Sequence, residues 1–526
     1  MNPPATPEPQ VAKPSRRKRG CLITLIILGL LVPGYYWLEK YTGRRAVEMV
    51  VAEYAEAGFP LEAAAVLPAT VPAEDNFGAT PLLDGIMHPD DYSPGAKVAQ
   101  GVMKSLTNLP SYQRCAYGWP LFTDKEWASL SGLDPAWPLL RTLLSRRKVP
   151  DSSAHEPSDV RAVFGALETC RALFDELSAA AQRPHAIFTP VPRERLSLWR
   201  EQELPYPTNE IAALAHMAVL RARAAAVLGH VDEAMSLTAV LWQLRRAWLA
   251  ESTLRAHFQA MKMQHFWQRS VQTILRCKNG RDAHLLQLLT TPGTEWSPEK
   301  EILHTLHGEA TWATTAFQKV RAELFSDPRW GFSRLEENML RCGPAGWVDE
   351  NLTTGLRRNL NFAILPLQKQ GFAGLPSAGQ VLDELRGGDS ERWSPNSFLL
   401  GSAYQNVLPP LCASSGILWA MTYSTETTRL MLLAIAAERY RLRHGRYPAA
   451  ASALVPDCIA AIPPDIDSAP LRVVTSADGA KTVLYSIGWN LTDDWHGVIP
   501  ATYKEDADWQ NADWPVSLPF PPLPPP

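Results

Sequence analysis

Two short spacings in this chain hold residue types able to do chemistry. His304-x-x-His307-x-Glu309 sets two imidazoles and a carboxylate within two helical turns, a donor set that can offer nitrogen and oxygen to a divalent metal. The spacing is looser than that of zinc peptidases, and histidines on an exposed helix face produce the same pattern. Ser297-x-x-Lys300 matches a serine–lysine nucleophile spacing. Pro298 gives it a plainer meaning: a helix start with Ser297 as its cap and Glu299 and Lys300 in solvent. GxSxG, HExxH, a phosphate-cradling glycine loop and GxGxxG are all missing, so any catalytic acids would have to be brought together by the fold.

The remaining composition narrows the classes further. Seven cysteines, Cys21, Cys115, Cys170, Cys277, Cys342, Cys412 and Cys458, form no C-x-x-C pair, which excludes a cysteine zinc knuckle. Their spacing leaves disulfide pairing open. A net charge of −3, with no basic stripe interleaved with aromatics, argues against nucleic acid as a partner. Trp119, Trp127 and Trp137, and Trp296, Trp312, Trp330 and Trp347, could stack on sugars, but aromatic burial in a helical core is the stronger expectation.

Position comes from residues 21–38, CLITLIILGLLVPGYYWL, an uncharged run straight after Arg16-Arg17-Lys18-Arg19. As a helix it reaches about 27 Å, close to the hydrocarbon thickness of a bilayer. Tyr35, Tyr36 and Trp37 suit the headgroup belt. A cleaved signal peptide or prepilin leader would share the basic-then-apolar order, yet bulky aromatics and Glu39-Lys40 stand where small cleavage-site residues belong. The expectation is a single transmembrane helix over 21–38, a proline-rich disordered cytoplasmic tail over 1–20, and the bulk of the chain outside an inner, cytoplasmic membrane.

Residues 41–415 read as a mainly α-helical extracytoplasmic domain punctuated by proline clusters. Ile211, Leu214, Ala215, Ala218, Ala222 and Ala225 recur at helical spacing until Gly229, and a second helix then carries Leu237, Leu241 and Leu244. Asp232 and Glu233 suit the positive end of that second helix. The pair resembles one tetratricopeptide-like hairpin, although no 34-residue recurrence is present.

Residues 416–514 read as a small α+β module. A helix over Thr427–Arg443 is apolar all round from Leu430 to Ala437, which demands burial, and Gly445 ends it. Leu471–Val474 and Lys481–Ile487 form strands joined around Asp478-Gly479, a pair suited to a tight turn. Residues 515–526 read as a proline-rich tail of polyproline II type. The order of this helix, Arg446-Tyr447-Pro448, Leu454-Val455-Pro456, Ile462-Pro463-Pro464-Asp465 and Tyr485-Ser486-Ile487-Gly488 resembles the globular end of the major pseudopilin of type II secretion. The whole chain is similar to membrane-anchored proteins known from planctomycetes and verrucomicrobia, in which a helical domain precedes this same ending.

That resemblance implies a calcium loop after the Tyr-Ser-x-Gly strand, where Asp493, Asp494, Asp506 and Asp508 would supply hard oxygen ligands. A solvated acidic loop accounts for the same residues, since Trp489-Asn490 replaces the expected Asp-Gly. The roughly 375 residues between anchor and module argue for a borrowed fold rather than for entry into a pilus-like filament. The functional expectation is a noncatalytic, membrane-anchored envelope protein that scaffolds or binds other proteins, linked to a secretion or pilus-like system, with the lipid bilayer and envelope proteins as partners. The alternatives are an envelope hydrolase acting on glycan or peptide through a fold-assembled acidic site, and a glycan-binding protein using Trp489, Trp495, Trp509 and Trp514.

Overall fold

Helix α1, Arg16–Glu56, carries the apolar run in its first half and enters the hydrophobic core with its second. The computed structural model describes residues 16–87, 160–161, 164–165, 167–188, 208–278, 280–291, 296–323, 345–375, 415–495 and 514–519. These residues are mainly helical, with one three-stranded antiparallel sheet. Of the tail expected to be disordered over 1–20, residues 1–15 lie outside them, whereas Arg16–Gly20 form the first turn of α1, which corrects that part of the expectation; the side chains up to residue 28 also lie outside. No helix among the described residues is long and apolar enough to cross a membrane. From residue 29 the run is described and open: Leu30, Leu31, Val32, Trp37 and Leu38 each expose more than half of their surface.

The second half of α1 behaves in the opposite way. Val50 and Tyr54, one turn apart, are fully buried against α8, Ala345–Asn359, which runs parallel to α1. Tyr54 Oη donates to the Leu356 carbonyl at 2.9 Å, and Arg357 pairs with Glu53 at 2.9 Å. At the start of this contact the backbones nearly touch: a Cβ on Gly346 would stand 1.9 Å from the Glu39 carbonyl oxygen. Tyr54→Phe keeps the ring and removes the buried hydrogen bond, so urea unfolding should register a loss of about 1 kcal/mol.

The body is a stack of α3, Thr208–Leu228, α4, Val231–Leu249, and α5, Leu254–Cys277, with the short α2, Arg171–Ala180, against α4. Ile211, Leu214, Ala215, Ala218, Ala222 and Ala225 are all buried, as their spacing predicts. Gly229 turns the chain at φ +87°, a conformation that favours glycine. Asp232 and Glu233, besides facing the start of α4, reach His284 at 3.0 Å and buried Arg221 at 2.5 Å. Trp242, Trp248 and Trp267 fill the stack, and Trp242 meets Trp267 at 5.1 Å and Trp296 at 5.9 Å. Trp312 is buried too, in accord with packing, whereas Trp119, Trp127, Trp137, Trp330 and the Trp347 side chain lie outside the described residues.

Two further helices, α6, Asp282–Thr290, and α7, Pro298–Glu323, lead towards α9, Ser415–His444. The last of these is the expected spine, buried all round from Leu430 to Ala437 and closed by Gly445 at φ +73°. It begins twelve residues before the predicted start. One side of α9 packs on α5 and α6, and another on the sheet formed by β1, Arg472–Thr475, β2, Thr482–Ser486, and β3, Trp514–Leu518. Strands β1 and β2 pair antiparallel with Arg472 opposite Tyr485, and Gly479 takes φ +70° in their connection. The third strand, β3, comes from the stretch expected to begin the proline-rich tail, with Pro515 opposite Tyr485 on the sheet's edge.

Candidate functional site

One turn before its apolar stretch, α9 buries charge. Glu426 has no exposed surface, and its Oε1 accepts from Arg429 Nη1 at 2.6 Å. Glu426 Oε2 is buried with no hydrogen-bond partner among the described residues. Arg429 turns its other nitrogen to Glu299 Oε1 at 2.5 Å, in the first turn of α7, and stacks over Phe372 at 5.2 Å. The expectation that Glu299 sits in solvent is therefore corrected: a buried arginine with one carboxylate already beside it draws in a second. Pro298 does begin α7 as predicted.

Asp465 continues this seam towards the sheet. Its Oδ1 accepts from Ser486 Oγ at 2.5 Å and from the Ile466 amide at 2.8 Å, and its Oδ2 accepts from the Ile487 amide at 3.0 Å and from Arg472. Arg472 also reaches Asp467 at 3.1 Å and Asp493 at 3.4 Å. Carboxylates and guanidiniums thus run from the start of α7 across α9 to the edge of β1 and β2.

Burial sets the protonation here. It pushes Glu426 up to about 8; Arg429 opposes the shift, and the negative fields of Asp465 and Glu299 add to it. Burial also raises Asp465, with the Ser486 hydroxyl and the Ile487 and Ile466 amides pulling the other way. For Arg429 burial works against the charge, but Glu426 and Glu299 outweigh it and raise its pKa. Glu426 is accordingly a neutral acid at pH 7, enclosed and pinned on one side by an arginine. Such a group can take up or release a proton as the fold opens, and it has no open face for a substrate.

The residues singled out in the sequence are placed differently. Asp493 accepts from Tyr485 Oη at 3.3 Å besides meeting Arg472, and Asp494 accepts from Asn490 at 2.9 Å. Asp506 and Asp508 lie outside the described residues, among which no group of three or more ligating side chains could hold a metal. His307 Nε2 meets the Pro60 carbonyl at 2.8 Å, and Glu309 accepts from the Leu254 amide at 2.9 Å, so the two serve different packing contacts. Trp514 is buried edge-on against Trp419 and Tyr423, and Trp495 packs on Tyr485 at 5.1 Å. Trp489 is half-buried and Trp509 lies outside the described residues. Sequence reasoning passed over Glu426 and Arg429, whose only local signal is an i, i+3 acid–base pair inside a buried helix.

Comparison with protein-family models, with curated proteins and with solved structures finds no match.

Proposed function

We propose that this chain is a noncatalytic, membrane-anchored envelope protein whose helical body and C-terminal α+β unit serve scaffolding or protein interaction. The observation that carries the reading is the change of character along α1. Residues 29–38 are apolar and exposed on all sides, and the same unbroken helix then enters the core at Val50 and Tyr54. A helix that is apolar all round must be buried in something, and each large side chain left in water forfeits about 1.5–3 kcal/mol. A bilayer supplies that burial. Trp37 stacks on Tyr41 at 5.7 Å, where aromatic residues favour the headgroup layer, and exposed Lys40, Arg44 and Arg45 follow at the water side.

In this reading the bilayer holds the body without a flexible linker, because α8 grips α1 within two turns of Leu38. The shared α9 spine ties the pseudopilin-like unit to the body, which favours a fixed platform over a subunit that joins a filament. Extraction of cell membranes tests the anchor: the protein should stay in the pellet through high salt and alkaline carbonate, and a reporter at its C-terminus should work only outside the cytoplasm. Release by mild salt, or a reporter active only in the cytosol, would overturn it.

A further inference from the structure

Beyond Leu38, helix α1 has two faces of opposite character. Gly43, Val50 and Tyr54 are buried on the side that meets α8, where a Cβ on Gly43 would stand 2.7 Å from the Gly346 backbone, and half-buried Glu39 lies on that side too. Trp37, Lys40, Tyr41, Arg44 and Arg45 stand at i, i+3, i+4, i+7 and i+8, the spacing of one helical stripe, and all five are exposed. The stripe turns away from α8. Arg44 pairs with Glu48 at 3.1 Å, but both side chains are mostly open to water, which makes the contact weak. Lys40 and Arg45 have no ion pair among the described residues.

With the apolar run in a bilayer, these cations stand at a defined depth. Lys40, Arg44 and Arg45 lie about 4.5, 10.5 and 12 Å beyond Trp37 along the helix axis at ~1.5 Å per residue. Side chains on a helix lean towards its N-terminus, which here is the bilayer side, so the long lysine and arginine stems reach back towards the phosphate layer. The Trp37–Tyr41 stack, with ring planes 11° apart, belongs to the same stripe and suits the headgroup level. Three cations with Glu48 as the one carboxylate among them leave the stripe net positive.

We propose that this stripe binds anionic phospholipid in the leaflet nearest the body, with Lys40, Arg44 and Arg45 holding the phosphodiesters of phosphatidylglycerol-type headgroups and Trp37 and Tyr41 packed among the glycerol and upper acyl groups. Depth and charge select this occupant. A protein partner would need an acidic face lying at the headgroup level, where lipid phosphate is already dense, and a zwitterionic headgroup brings its own ammonium against the same cations. The inference names the lipid met by the anchor proposed above and rests on that anchor.

The test uses the full chain in phosphatidylcholine nanodiscs doped with spin-labelled phosphatidylglycerol or phosphatidylcholine. Electron paramagnetic resonance gives the motionally restricted fraction of each label, and so their relative association. A cation at an anionic surface strengthens attachment about fivefold, so Lys40→Gln/Arg44→Gln/Arg45→Gln should lower the wild-type preference for phosphatidylglycerol by about fivefold or more. Preference that survives belongs to Arg16–Arg19 at the other leaflet. The part lost in the triple variant should shrink as salt rises from about 20 to 500 mM. All three side chains are exposed and turned from α8, so helical circular dichroism should not change. Equal preference in wild type and triple variant would overturn the proposal, as would an equal fall in Lys300→Gln/Lys481→Gln, whose exposed lysines lie outside α1. So would inorganic phosphate abolishing the preference at a low ionic strength where chloride preserves it. Membrane retention is read separately: a protein that still pellets through carbonate but shows no lipid preference refutes the stripe and leaves the anchor standing, whereas release by mild salt refutes the anchor.

Discussion

Arg429→Met should cost about 3 kcal/mol of folding free energy at pH 7, and more above pH 8, where Glu426 would otherwise ionise. The arginine is buried and donates hydrogen bonds to both Glu426 and Glu299, so its removal leaves the Glu299 carboxylate and the enclosed Glu426 acid without that donor. Methionine fills much of the stem volume against Phe372, which separates lost charge from lost packing. Above about pH 8, Glu426→Gln in the same background should return part of the loss, because a neutral amide replaces an acid that would otherwise ionise without its cation. Equal loss in the single and double variants would show that packing, not charge, holds this junction.

The same acid gives the protein a pH dependence of defined sign. The folded state holds Glu426 protonated up to about 8, whereas an unfolded chain releases that proton near the ordinary value of 4.5. Its contribution to stability is therefore present in full below about pH 4.5 and is lost progressively as pH rises to about 8. Glu426→Gln alone should flatten that decline. Some slope of the same sign should survive, since Asp465 is raised as well. Urea unfolding at several pH values across this window measures both.

Legibility divides along the line between local and distant causes. The α3–α4 turn at Gly229, the end of α9 at Gly445 and the β1–β2 connection at Gly479 all need φ above zero, and one glycine announces each. The early start of α9 has no such marker. Ser424-Thr425-Glu426-Thr427-Thr428 is a poor helix former, and the helix persists there through tertiary contact: Gln264 and Gln268 of α5 both donate to Thr428. Strand β3 was hidden by Pro515, which an edge strand accepts and a polyproline segment equally predicts. The seam was illegible for a different reason. Arg429 meets Glu299 across 130 positions, so no spacing rule connects them.

Gly346→Ala should loosen the grip of α8 on α1 and cost about 3 kcal/mol, the upper range for forcing atoms into a filled contact. The new Cβ would stand 1.9 Å from the Glu39 carbonyl oxygen and 2.3 Å from its carbon, both backbone atoms that no side-chain rotation can move aside. One helix must shift, and the contacts beyond the crossing, Tyr54 with Leu356 and Glu53 with Arg357, would lengthen with it. Gly165→Ala is the control, since a Cβ there meets nothing within 4 Å and should change stability by less than about 1 kcal/mol. Hydrogen exchange over Val47–Tyr54 reads the outcome directly: these amides should exchange faster in Gly346→Ala than in the wild type, while membrane retention stays unchanged. Unchanged exchange with unchanged stability would mean that the glycine crossing does not clamp α1, and that the body is held to it only through Val50, Tyr54 and the turns that follow.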